Sequence, residues 1–152
     1  MSGLADQGFR SVVLMNGHGG NDAALRVAVD RLTNEIRCGA HVAATSYFQV
    51  ASTGGSPGHA GNFETSLMLA LTPELVQLDR RPNDAELVTP LGRTDVAGGK
   101  IGRPGLWETS DGRTDDARDA SVETGEQLLN EISGAVADFL VRFHRSTFAS
   151  AG

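Results

Sequence analysis

Arg10-Ser11-Val12-Val13-Leu14-Met15-Asn16-Gly17-His18-Gly19-Gly20-Asn21 reads as a short strand that runs into a glycine-rich turn. Val12-Val13-Leu14-Met15 is continuously apolar and β-branched at its start, the pattern of a strand covered on both faces of a parallel sheet. Downstream, Leu25, Ala28, Val29, Leu32 and Ile36 recur at helical spacing, which predicts an amphipathic helix over residues 22–37. Gly39 stands where helices commonly stop, and residues 41–47 read as a second strand. Strand, helix and strand on short connections make a parallel βαβ unit. The expected fold class is α/β.

Beyond this unit, residues 48–62 form a loop rich in Gly, Ser and Pro, and a helix is expected over residues 63–71. Thr72-Pro73-Glu74 restarts a helical turn, with Thr72 as its cap and Pro73 in the first position. Residues 80–116 hold three of the five prolines and read as a long irregular excursion, the kind that serves function or a subunit contact. A closing helix over residues 121–144 is amphipathic through Val122, Leu128, Leu129, Ile132, Val136, Phe139, Leu140 and Phe143. Glu123 and Glu126 near its start and Arg142, His144 and Arg145 near its end complement the helix dipole. A single domain over residues 1–152 is expected.

Composition excludes several classes of function. The 152 residues carry a formal net charge of −6, and the pair Arg80-Arg81 is the longest basic run. No face for nucleic acid is expected. Cys38 is the only cysteine, which excludes an internal disulfide and a Cys-based zinc site and fits a reducing compartment. The longest apolar run, residues 67–71, is far below the ~20 residues that cross a bilayer. The N-terminus shows no basic stretch followed by an apolar one. A cytoplasmic protein without membrane contact is the expectation.

Three motifs compete for the chemistry. Gly17-His18-Gly19-Gly20 resembles a dinucleotide-binding turn, but the full G-x-G-x-x-G pattern needs glycine at position 22. Asp22 stands there, and its carboxylate would repel a pyrophosphate at the helix N-terminus. Gly54-Gly55-Ser56-Pro57-Gly58 matches the nucleophile elbow of serine hydrolases. The elbow uses the amide after the serine as an oxyanion donor, and Pro57 has none. The third candidate joins His18 with His59 and Glu64. His18 lies at the carboxyl end of the first strand, where open α/β sheets place their sites. Imidazole plus carboxylate suits zinc, manganese or iron. His59 and Glu64 would lie about 140° apart on one helix, so His59 belongs to the loop and Glu64 to the helix. Each has an ordinary structural reading too: a solvated turn residue for His18, and first-turn dipole compensation for Glu64. His41 and His144 read as an edge residue and a helix-end partner. Tyr47 and Trp107 read as packing residues, and Trp107 could also wall a pocket.

Asn16-Gly17-His18-Gly19-Gly20-Asn21, followed by Gly58-His59-Ala60-Gly61-Asn62-Phe63-Glu64-Thr65-Ser66, resembles the creatininase (creatinine amidohydrolase) family. The likeness continues through Leu67-Met68-Leu69-Ala70-Leu71 and Pro73-Glu74-Leu75-Val76, weakens between Pro82 and Asp116, and returns in the closing helix. It implies a three-layer α/β/α fold with a mainly parallel sheet, of which this chain resembles the C-terminal portion. It also implies a homo-oligomer, often a hexamer, with two divalent metals whose hydroxide attacks a cyclic or linear amide carbon. On that resemblance His18 and Glu64 are metal ligands, and His59 is the proton shuttle to the leaving nitrogen. Gly19, Gly20 and Asn21 are the turn residues beside the substrate.

The sequence also departs from the family. The family's E-x-H-G-x-H-L-P motif has no match here. Gly20 stands where creatininase itself has a carboxylate, and no tryptophan lies shortly before His59. Two expectations therefore stand side by side: a metal-dependent amidohydrolase acting on a small amide, and a catalytically incompetent domain with an assembly role. Nucleotide binding at the first glycine-rich turn is a weaker third.

Overall fold

The apolar run after Arg10 becomes strand β1 (Ser11–Asn16), which pairs in parallel with β2 (His41–Ser46). The register runs from Ser11 opposite His41 to Asn16 opposite Ser46, so both strands end level. A parallel pair needs a long crossover, and α2 (Asp22–Asp30) supplies it, entered through a 3-10 turn at Gly19–Asn21. The structure is a computed structural model that describes residues 2–51, 57–80, 104–105, 108 and 112–148. It divides into two compact units, residues 1–54 with 131–152, and residues 55–130. No helix among the described residues is long and apolar enough to cross a membrane.

In the first unit both strands fall within a residue or two of their sequence reading, and three features differ from it. A short helix α1 (Ser2–Asp6) precedes β1, with Ala5 buried and the Phe9 amide returning to the Leu4 carbonyl at 3.1 Å. The helix expected through residue 37 widens after Asp30 into a π turn over Arg31–Glu35. There the Thr33 hydroxyl donates to the Val29 carbonyl at 2.9 Å, a bond that competes with the regular helical ladder. Gly39, at φ 73°, then reverses the chain in the left-handed region open to glycine. Tyr47, expected in the second strand, instead opens a one-turn helix α3 (Tyr47–Val50), its ring edge-on to Phe48.

In the second unit the helix after the loop is α4 (Asn62–Leu71), with Ser66 fully buried and Leu69 nearly so. The Pro73–Leu75 turn has Pro73 in its first position, as expected, but Thr72 makes no side-chain cap. Its hydroxyl is buried without a hydrogen-bond partner among the described residues, on a backbone at φ −151° and ψ 65°. A further short turn follows at Leu78–Arg80. Most of the excursion expected over residues 80–116, Trp107 and residues 54–56 of the elbow-like motif lie outside the described residues.

The last helix, α5 (Val122–Phe148), belongs to the second unit up to residue 130 and to the first unit from 131 onward. Ser121 starts it, its hydroxyl accepting the Thr124 amide at 3.1 Å, the usual satisfaction of an orphan first-turn donor. At the far end Thr147 shares a 2.9 Å hydroxyl–hydroxyl bond with Ser11 at the start of β1. Near the helix start Gly125 is buried against α4. A Cβ there would run into the Ser66 carbonyl group and lie 2.8 Å from the Ala70 methyl.

Backbone cannot move aside as a flexible side chain can. Gly125→Ala should therefore destabilise the chain by about 1–3 kcal/mol, the scale of overpacking. Gly134, on the same helix, has nothing among the described residues within 4 Å of its Cβ position. Gly134→Ala should stabilise by up to about 1 kcal/mol through helix propensity. Urea midpoints of the two variants should move in opposite directions.

Candidate functional site

At the carboxyl ends of β1 and β2 the most buried side chains are polar. Asn16 is 5% exposed and Ser46 fully buried. The Asn16 amide nitrogen lies 2.7 Å from the His18 carbonyl and 2.8 Å from both Asp22 Oδ1 and Ser46 Oγ. Its oxygen accepts the His18 amide at 3.1 Å and the Asn21 side-chain amide at 3.4 Å. Ser46 donates its hydroxyl to Asp22, and Gln49 donates to the other Asp22 oxygen at 2.8 Å. Asp22 also stands in the first turn of α2, where the helix dipole favours a carboxylate.

This network shapes the turn that carries His18. The His18 backbone is extended and its side chain exposed. Its Nε2 lies 2.9 Å from the place a Cβ would take on Gly20. Of the three expected substrate positions, Gly20 lies beneath the imidazole, the place a Cβ would take on Gly19 is 3.8 Å from the Phe48 ring, and Asn21 is tied to Asn16. Sequence reading missed Asn16, Asp22 and Ser46 as the turn's supports.

In the second unit the structure brings His59 and Glu64 together. Glu64, in the first turn of α4, accepts the Ala60 amide on Oε2 at 2.7 Å. The same oxygen lies 3.8 Å from His59 Nδ1, and both side chains are part-exposed. That distance exceeds a hydrogen bond, but it sets a carboxylate beside the imidazole. Ala60 has φ 53°, an uncommon conformation for a residue with a side chain. Thr114 and Asp115, which the sequence offered only as part of an irregular stretch, meet the loop: the His59 amide donates to Thr114 Oγ1 at 2.6 Å. The neighbouring Asp116 is engaged with Arg118. Desolvation would raise its carboxyl, but hydrogen bonds from Arg118 and the charge of Arg113 hold it below its ordinary value. Asn62 Oδ1, at the start of α4, is a buried acceptor without a partner among the described residues.

Among the described residues no three His, Cys, Asp or Glu side chains group together to hold a metal ion. A catalytic zinc takes about three protein ligands and a water. His18 and Glu64 each carry a donor of a type such an ion accepts.

The chain matches the family described as creatininase, creatinine amidohydrolase, over residues 1–140. It belongs to the creatininase family. It is 32% identical to the creatinine amidohydrolase of Pseudomonas putida, over 89% of this chain and 56% of that protein. It is 38% identical to the mycofactocin precursor peptide peptidase of Mycobacterium ulcerans (strain Agy99), over 67% of this chain and 42% of that protein. The chain therefore spans about half the length of these curated relatives. Its fold is creatininase-like. It superimposes on a putative creatinine amidohydrolase from Bacteroides fragilis NCTC 9343 with a TM-score of 0.75 at 27% identity, covering 97% of this chain and 58% of that one. A manganese creatininase gives 0.72 at 32% identity, covering 97% and 60%. A creatininase mutant complexed with creatine gives 0.71 with the same identity and coverage.

The buried network should be costly to open within this creatininase-family fold. Asn16→Ala or Ser46→Ala leaves buried partners unsatisfied and should cost about 1–3 kcal/mol each. Their double variant should fall short of the sum, because the two share Asp22. Gln49→Ala, at the exposed edge, should stay within about 0.5 kcal/mol of wild type. Equilibrium unfolding of the four proteins reads all three effects.

Proposed function

We propose that the chain is part of a metal-dependent amidohydrolase that cleaves the C–N bond of a small cyclic or linear amide. The observation that carries this reading is the His59 loop: an imidazole on a fixed backbone with a carboxylate 3.8 Å from its Nδ1. An imidazole so placed can accept a proton and hand it to a leaving nitrogen. His59 is the proposed proton carrier. His18 and Glu64 are the proposed residues toward a divalent ion, zinc or manganese by likeness to creatininases whose structures are of Zn–Zn type or hold manganese. Such an ion, when bound, supplies a Lewis acid and a hydroxide at neutral pH. Gly19, Gly20 and Asn21 are proposed to present the turn to substrate. Creatine in a related structure supports a small, polar amide or its product as the ligand class. Glu64 has a second role to weigh, since its Oε2 already holds the Ala60 amide and faces His59. That contact favours orientation of the imidazole.

An alternative is a domain that keeps the fold and an assembly surface without turnover. Gly20 favours it, because that position brings no donor to stand beside His18. Exposed Val27 (66%), Leu71 (59%) and Leu75 (67%) support a homo-oligomer under either reading.

Purified protein, with zinc or manganese and a panel of small amides that includes creatinine, separates the readings. The amidohydrolase reading expects turnover that falls about 10²–10⁴-fold in His59→Ala. Calorimetry should show metal affinity lost in His18→Ala and kept in His41→Ala. Absence of turnover with every amide, together with equal metal binding by wild type and His18→Ala, would leave the assembly reading.

A further inference from the structure

Thr114 and Asp115 lie 55 and 56 residues from His59 in sequence, yet they take up its backbone. The His59 amide donates to Thr114 Oγ1 at 2.6 Å, and the Thr114 amide donates to the His59 carbonyl at 2.9 Å. Both main-chain polar groups of His59 are thus satisfied by one residue. The Thr114 hydroxyl donates in turn to Asp115 Oδ1 at 3.1 Å, which leaves its lone pair toward the His59 amide.

Asp115 closes the loop from the other side. Its carboxylate carbon lies 2.9 Å from the place a Cβ would take on Gly58, and the carboxylate overlaps the Cβ position of Gly61. Only glycine at both places admits this approach. Gly58, at φ 66°, is also in the left-handed region. Between the two glycines Ala60 holds its strained φ of 53° while its amide is bonded to Glu64. A strained residue persists where its surroundings over-determine it, and here Thr114, Asp115 and Glu64 do so together. The segment is also pinned to α4: the Ser121 amide donates to Ser66 Oγ at 3.2 Å, and Gly125 seats on the Ser66 carbonyl. The loop that bears His59 and the helix that bears Glu64 are fixed to the same strap.

We propose that Thr114 and Asp115 form a clasp that positions His59, making both positioning residues for the proton transfer assigned to its imidazole above. The proposal rests on that reading for its consequence in turnover, though not for the clasp itself. The clasp acts on the backbone of His59 and leaves the ring to face Glu64. Loosening it changes where the imidazole stands, while the ring's chemistry is untouched.

The test uses the full chain labelled for NMR, with Thr114→Val, Asp115→Ala, Asp115→Asn and Gly61→Ala, and reads the His59 amide and ring signals beside those of His18 and His41. Thr114→Val and Asp115→Ala should shift the His59 signals and speed exchange of its amide at least about tenfold, with His18 and His41 unmoved. Asp115→Asn keeps an acceptor at Oδ1 and should return the His59 signals toward wild type. Gly61→Ala displaces the same carboxylate and should not add to Asp115→Ala. With an amide that the wild type turns over, kcat should fall about 10–100-fold at nearly constant KM. His59 signals that ignore Asp115→Ala would overturn the proposal, as would histidine signals that all move together or loss of the fold in both Asp115 variants. If the wild type turns over no amide while the His59 signals respond as stated, the clasp stands and the amidohydrolase reading falls.

Discussion

The contact of Asn16 with Asp22 and Ser46 is the constraint on which the first unit depends. Three elements end or begin there: β1 at Asn16, β2 at Ser46 and α2 at Asp22. A parallel pair in level register brings its two carboxyl ends side by side, and an amide with two protons and a hydroxyl can satisfy a carboxylate between them. Burial makes this interaction strong and its loss costly, since an unpaired polar group in the interior has no water to replace its partner. The turn that follows inherits its shape from Asn16, whose side chain takes both the amide and the carbonyl of His18. The histidine is therefore displayed by a fixed backbone, although its own side chain is exposed.

The second unit reaches the same end by other residues. Its fully buried polar side chain among the described residues is Ser66, whose hydroxyl accepts the Ser121 amide and whose carbonyl receives Gly125. That junction holds the strap of residues 114–125 on α4, and the strap holds the His59 loop. Small residues are required wherever these surfaces meet. Gly58, Gly61 and Gly125 each occupy a place that a methyl group would contest. The low aromatic content agrees with such packing, in which polar nodes and glycine contacts fix geometry and the apolar core is modest. Both histidines of interest are thus held through their main chains.

Much of this was legible in the sequence because it is local. The strands, the crossover helix, the stop at Gly39, α4 and the closing helix all follow from hydrophobic period and glycine placement. The family was legible too, through the N-G-H and H-A-G-N-F-E-T-S segments. Four local features escaped. Helix α1, the π turn at Arg31–Glu35, the one-turn helix at Tyr47 and the uncapped Thr72 carry no hydrophobic period or glycine that marks them. The supports of the site were hidden for a different reason. Asn16 and Ser46 are 30 residues apart, and His59 and Thr114 are 55 apart, so only the fold joins them. Signals did exist in hindsight. Asp22 is the one non-glycine in an otherwise matching dinucleotide pattern, and glycines flank His59-Ala60 on both sides.

If the buried node fixes the His18 turn before any ligand arrives, the His18 amide should exchange with solvent only when the strands themselves open. Native-state hydrogen exchange measures this directly. The expected result is a His18 amide protected to within about tenfold of the amides that pair β1 with β2. Exchange at the rate of an unprotected loop, with the strand amides still protected, would contradict it.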